Sequence, residues 1–206
     1  MTLGEIVRDH PHAGGVEVEI GCGNGHFIAE YAAHRPATLL VGVELKEKRC
    51  RKAEEKVERH GLGNVVIVHG GAEGFIRDIA PGTVDAFHLY FPDPWPKSRH
   101  RKRRFFVMDN LRWLYGGLKP GGRLWFATDY FDYYVQAKVI VLAHGGFSLA
   151  SLPAPWEACT SIYSRRFAGS PMGATRCVSS RSSSTVTTPS RWRDCPDSSG
   201  APWGFS

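Results

Sequence analysis

Three groups of residues in this chain have types and spacings suited to chemistry. The first is Glu19-Ile20-Gly21-Cys22-Gly23-Asn24-Gly25. Alternate glycines let a chain turn tightly and let a ligand lie against the backbone. A dinucleotide fingerprint places its third glycine one residue later, as GxGxxG, so the GxGxG spacing is weakly diagnostic alone. The acid before the turn discriminates better. A carboxylate there opposes a pyrophosphate and suits a ligand carrying a cationic amine and a sulfonium. The second group is Glu44, 25 residues after Glu19, where an acid at a strand end commonly pairs with ribose hydroxyls. The third is Phe91-Pro92-Asp93-Pro94-Trp95-Pro96-Lys97. Its three prolines stiffen the loop and hold Asp93 and Trp95 with little entropy to lose.

A run of bases follows that loop: Lys97, Arg99, Arg101, Lys102, Arg103 and Arg104, with no acid between 97 and 104. The chain of 206 residues has 26 Lys and Arg against 20 Asp and Glu, a formal charge of +6. Without those six the rest is balanced, so the excess sits at one place. Local positive charge points to a polyanion, most often nucleic acid. A hydrophobic content of 42% excludes wholesale disorder. No apolar run reaches the ~20 residues that span a bilayer, and residues 1–15 lack a secretory apolar segment. Five scattered cysteines without a CxxC pair, and histidines without HxxxH spacing, suggest neither disulfides nor a metal. A cytoplasmic setting is expected.

The elements that must position these groups read as alternating strands and helices. Strands are predicted at 16–20, 38–44, 65–68, 84–91 and 123–128. Helices are predicted at 25–34, 45–60, 104–118 and 130–144. The 45–60 helix has the stripe Leu45, Arg49, Ala53 and Val57 and the stop signal Gly61. The KPGG turn is expected to stop the 104–118 helix. Such alternation means a mostly parallel sheet of βαβ units with ligands at the carboxyl ends of the strands. Glu19, Glu44 and Asp93 all fall there. The acid and the glycine spacing favour S-adenosylmethionine over a nicotinamide cofactor.

The segment FPDPWPKSRHRKRR closely resembles the signature of the bacterial tRNA (guanine-N7-)-methyltransferase family. EIGCGNG, GVEL, KPGG and ATDY follow in the family's order, and the resemblance covers roughly residues 16–167. It implies a Rossmann-like class I methyltransferase fold, S-adenosylmethionine as donor and a tRNA variable-loop guanosine as acceptor. Carried over by motif, Glu19, Gly21, Gly23, Gly25 and Glu44 would bind the donor, and Asp93 would stand catalytically between donor and base. Lys97 and Asp129, with Thr160 and Tyr163, would contact the substrate. Arg99, Arg101, Lys102, Arg103 and Arg104 would contact tRNA phosphates. Trp95 would stack on a base or pack beneath the loop. Two positions depart from the pattern. Gly71 stands where an acid or amide usually meets adenine, leaving its N–H or Glu73 to serve. Ser164 follows Tyr163 where the family has Glu. The alternative of another class is a catalytically impaired tRNA-binding module. The oligomeric state, monomer or homodimer, stays open.

Residues 1–169 are expected to form the methyltransferase domain. From Ser170 to Ser206, 14 of 37 residues are Ser or Thr, and Leu, Ile, Lys and Glu are absent. That composition is expected to leave the tail largely disordered, or to mark it as out of frame, with the C-terminal sheet edge incomplete. A frame change near Gly169 predicts a family-like strand in one of the other two frames of the underlying DNA; translation that finds it in neither rejects the idea.

Overall fold

The computed structural model describes residues 1–149 and 177–180. Thr160, Tyr163 and the expected boundary after residue 169 lie outside them, as does most of the Ser/Thr-rich tail. The chain opens with α1 (Leu3–Asp9), which sequence periodicity alone did not suggest. Its signal is a capping box. Thr2 Oγ1 accepts from the Glu5 N–H at 3.3 Å, and Glu5 Oε2 accepts from the Thr2 N–H at 2.6 Å. Leu3 and Ile6 are thereby buried in the core.

Then come β1 (Gly15–Ile20), α2 (His26–Ala33), β2 (Thr38–Glu44), α3 (Glu47–Arg59), β3 (Val65–His69) and α4 (Ala72–Arg77). β4 (Val84–Tyr90) leads through the proline-rich loop to a 3₁₀ helix (Ser98–Arg103) and α5 (Met108–Gly117). β5 (Leu118–Ala127), α6 (Phe131–His144), β6 (Ser148–Leu149) and β7 (Cys177–Ser180) complete the described elements. The sheet order is β3-β2-β1-β4-β5-β7-β6, and the first five strands are parallel. The chain winds outward from β1 to β3, then crosses back to place β4 beside β1. The order reverses between those two strands, the place where such sheets open a ligand crevice.

Three expectations need correction in detail. Leu45 is not part of the α3 stripe. It is 68% exposed, because residues 45 and 46 form the turn that Glu44 caps by accepting from the Lys46 N–H at 2.8 Å. Cys50 and Ala53 are the buried residues of α3, and Arg49 is exposed. The 104–118 helix begins only at Met108, because the basic run before it winds as a 3₁₀ helix. KPGG does not end that helix. It lies inside β5, where the pairing with β4 shifts register between Val84 and Ala86. Gly121 there takes φ +75°, and an irregularity of this kind tolerates Pro and Gly within a strand. Among the described residues the C-terminal edge is four-residue β7, antiparallel to ten-residue β5, and two-residue β6, antiparallel to β7. β7 takes in Val178-Ser179-Ser180 of the Ser/Thr-rich stretch.

Alternation along β1 turns Val16, Val18 and Ile20 to one face, packed with Leu111, Leu114 and Phe126. Glu17 and Glu19 go to the other, under α2. Glu17 is paired there. It meets His88 Nε2 at 2.6 Å and Arg35 at 3.1 Å, and His88 Nδ1 meets the Tyr90 hydroxyl at 2.7 Å. Burial pushes the Glu17 carboxyl up, but the hydrogen bond and charge of His88, with Arg35, outweigh it and hold it below the ordinary carboxylate range. Removing one member of a buried pair strands the other. His88→Ala is therefore expected to cost about 3–5 kcal/mol in urea unfolding; a loss under about 1 kcal/mol would show the pair to be energetically idle.

Candidate active site

The glycine turn is built by its neighbours. Gly21, Gly23 and Gly25 take φ of +73°, +58° and +69°, which only glycine adopts without strain. The N–H groups of Gly21 and Cys22 both donate to the Val43 carbonyl, at 2.8 and 3.1 Å, fastening the turn to β2. A Cβ on Gly25 would lie 2.8 Å from Ala53 Cβ, so its absence lets α2 start against α3. At Gly21 and Gly23 the same test meets open space. Those two glycines leave the outer side of the turn clear for a ligand.

Glu44 closes the arrangement. One of its oxygens accepts from the Gly23 N–H at 3.0 Å and the other from the Lys46 N–H at 2.8 Å. The residue expected to face a ribose thus also fixes the glycine turn. Glu19 has no such support. It is 6% exposed, and its Oε2 has no hydrogen-bond partner among the described residues. Burial first, and the charge of Glu44 second, push its carboxyl up to about 8 against one hydrogen bond from the Ile28 N–H. A buried polar atom without a partner is costly unless a ligand supplies one. Burial also pushes the Cys22 and Cys50 thiols up, and Cys50 Sγ donates to the Glu44 carbonyl at 3.3 Å. Neither thiol is poised as a nucleophile.

The Asp93 loop leaves β4 beside this crevice. Phe91 and Trp95, at its two ends, take φ of +49° and +43°, unusual for residues with a Cβ. The Asp93 carboxylate is exposed. Trp95 packs edge-on against His100, and the Arg103 guanidinium lies 5.2 Å from its ring centre. Lys97, Arg99, Arg101, Lys102 and Arg103 are exposed; Arg101 pairs with Asp132 at 3.0 Å. Arg104 is not a surface group, contrary to its expected place among the phosphate contacts. Its side chain is fully buried, with N–H groups donating to Pro94 O, Gln136 Oε1 and Asp132 Oδ2. Sequence reading missed Asp132 and Gln136, whose spacing i, i+4 on α6 is the available signal.

Asp129 is exposed in the turn between β5 and α6, and Gly71 is the extended residue ahead of α4. The structure therefore bonds Glu44 to the glycine turn and buries Glu19 within reach of the Glu44 charge. It places Gly71, Asp93 and Asp129 along the same rim, after β3, β4 and β5. A cleft of about 570 Å³ opens at the opposite end of the strands, with Ala13, Ala33, Thr38 and Leu62 in its wall. The orphaned carboxylate and the cationic run are both at the carboxyl end, where sheets of this kind bind ligands.

Solved structures with the same fold include the 16S rRNA methyltransferase KamB, at TM-score 0.64 and 17% identity over 87% of this chain and 93% of that one. Another is a 16S rRNA (adenine(1408)-N(1))-methyltransferase from Catenulisporales acidiphilia with cosubstrate SAM, at TM-score 0.58 and 19% identity over 88% and 92%. Curated relatives carry the name tRNA (guanine-N(7)-)-methyltransferase. That of Geobacter metallireducens is 40% identical over 126 residues, which is 61% of this chain and 60% of the relative. That of Corynebacterium glutamicum is 38% identical over 155 residues, 72% of this chain and 58% of the relative. The chain spans about half the length of the curated relatives it matches. A family model described as a putative methyltransferase matches residues 14–162. That span takes in all five parallel strands and the whole of their carboxyl rim, and the chain belongs to this methyltransferase family.

Proposed function

We propose that the chain methylates N7 of the variable-loop guanosine of tRNA, with S-adenosylmethionine as donor. The observation that carries this reading is the buried Glu19 oxygen at the strand-order reversal, unpartnered among the described residues, beside an exposed carboxylate and a cationic run. The fit to the donor is chemical. Its cationic amine supplies the N–H that Glu19 lacks, the open turn at Gly21 and Gly23 admits it against the backbone, and Glu44 has lone pairs left for ribose hydroxyls. Gly71 offers a backbone N–H to the adenine.

When bound, the donor supplies an electrophilic methyl on a sulfonium. Guanine N7 has an in-plane lone pair and no proton at neutral pH. The new N7–carbon bond takes that pair as the carbon–sulfur bond returns its own to sulfur. No general base is needed, so the site works by alignment and exclusion of water. The methylated base is cationic, and Asp93 stabilises that charge as it develops. Lys97 and Asp129, with Thr160 and Tyr163, hold the nucleotide. Arg99, Arg101, Lys102 and Arg103 position the tRNA through its phosphates rather than reading bases.

Asp93→Ala is expected to lower kcat by about 100-fold or more in a chain that still unfolds cooperatively and binds donor; near-normal methyl transfer to unmodified tRNA would reject the role. A tRNA lacking the variable-loop guanosine should accept no methyl, and transfer to it would overturn the target. Replacing Arg99, Lys102 and Arg103 by Ala should lower the slope of log K for tRNA against log salt by about one per lost contact.

Glu19 gives a pH prediction. The folded chain holds the Glu19 proton up to about pH 8, against an ordinary value of 4.5. That stabilising contribution is complete below about pH 4.5 and is lost as the pH rises through about 8. Glu19→Gln should remove this slope, raise the thermal midpoint of the free chain at pH 8 and weaken donor binding. Donor binding near pH 7 should release a proton, read by calorimetry in buffers of different ionisation heat; no release would mean that the ligand meets a neutral Glu19.

A further inference from the structure

Six bases in the run look alike in sequence, but one is built differently. Arg104 is among the largest fully buried side chains of the molecule. Its Nε donates to Pro94 O at 2.7 Å, Nη1 to Gln136 Oε1 at 2.5 Å and Nη2 to Asp132 Oδ2 at 2.7 Å. The guanidinium also lies 4.9 Å from the Tyr133 ring centre and 5.7 Å from that of Tyr130. Three segments meet on this one group: the Pro92–Trp95 turn, the end of the 3₁₀ helix and the first turns of α6.

The loop needs such an external donor. Pro92, Pro94 and Pro96 have no N–H, so few backbone donors are available within the loop to fix it. Its ends, Phe91 and Trp95, sit at positive φ, a conformation that persists only where the surroundings over-determine it. The Arg104 bond to Pro94 falls on the residue next to Asp93. Its bond to Asp132 reaches the first turn of α6, three residues after Asp129. A guanidinium fork can satisfy several acceptors at fixed angles, which an ammonium on a flexible stem cannot reproduce.

We infer that Arg104 is a positioning residue: it locks the Pro94 carbonyl to α6, sets the Asp93 carboxylate relative to Asp129, and contacts no phosphate. Its kinetic consequence rests on the methyl-transfer reading above; its structural consequence does not.

The test uses the full chain with Arg104→Lys and Asp132→Ala. Arg104→Lys keeps the charge and loses the fork. It is expected to lower kcat for tRNA methylation by about 100-fold, leaving the KM for tRNA and the salt slope of tRNA binding unchanged. Tryptic cleavage within residues 97–103 of the native chain should become faster, with cooperative thermal unfolding retained. Asp132→Ala removes a negative charge beside the run. A phosphate-binding Arg104 predicts tighter tRNA binding and undiminished kcat for this variant, whereas the clamp predicts a fall in kcat and a more readily cleaved loop. Wild-type kcat and cleavage in Arg104→Lys would overturn the inference. If Arg104→Lys does not fold, Asp132→Ala decides by the same readouts. If the wild-type chain methylates no tRNA, the methyl-transfer reading fails, and the cleavage rates alone decide whether Arg104 orders the loop.

Discussion

Two carboxylates buried side by side at the carboxyl ends of β1 and β2 are the constraint on which the site depends. Glu19 and Glu44 are both shielded from water, and the charge of Glu44 adds to the cost of ionising Glu19. The fold resolves this unevenly. Glu44 takes two backbone N–H groups, from Gly23 and Lys46, and so becomes part of the glycine turn. Glu19 keeps an oxygen with no partner among the described residues and a proton held to about pH 8. That imbalance is a standing preference for a ligand that brings positive charge and N–H donors. The sheet bears its cost through β1, which is inserted between β2 and β4 and held on its other acid by the Glu17–His88 pair.

Across the crevice the charge is of opposite sign, and it is divided between two tasks. Lys97, Arg99, Lys102 and Arg103 face solvent, where attraction to a polyanion is long-ranged and screened by salt. Arg104 is inside, where a cation is tolerated only with its donors met. The same stretch thus supplies both the surface that meets a large substrate and the anchor that holds the reactive loop. Arg101 stands between these roles, exposed but bonded to the Asp132 that also takes Arg104.

Much of this was legible in the chain. The first four parallel strands and the two longest helices, α3 and α6, fell close to their expected ranges, because short apolar runs between turn signals leave few alternatives, whereas β5 starts at Leu118 and takes in the turn expected before it. The elements missed were short. α1 has seven residues and α4 six, too few for a periodic pattern to stand out, and α1 is held by a capping box and two core contacts. Leu45 was misplaced because a hydrophobic residue at the right spacing counts toward a stripe whether or not the helix has begun.

The sequence by itself determined the order of elements, the place of the acids at strand ends and the concentration of charge after the fourth strand. Residue type and local spacing suffice for those, since they follow from backbone propensity and from counting. Only the tertiary structure decided which of two acids in β1 is paired and which is left open, and which of six bases is buried. Those distinctions depend on what lies across a strand or a loop: His88 is 71 positions from Glu17, and Asp132 is 28 from Arg104. No local pattern encodes such partners; packing assigns them.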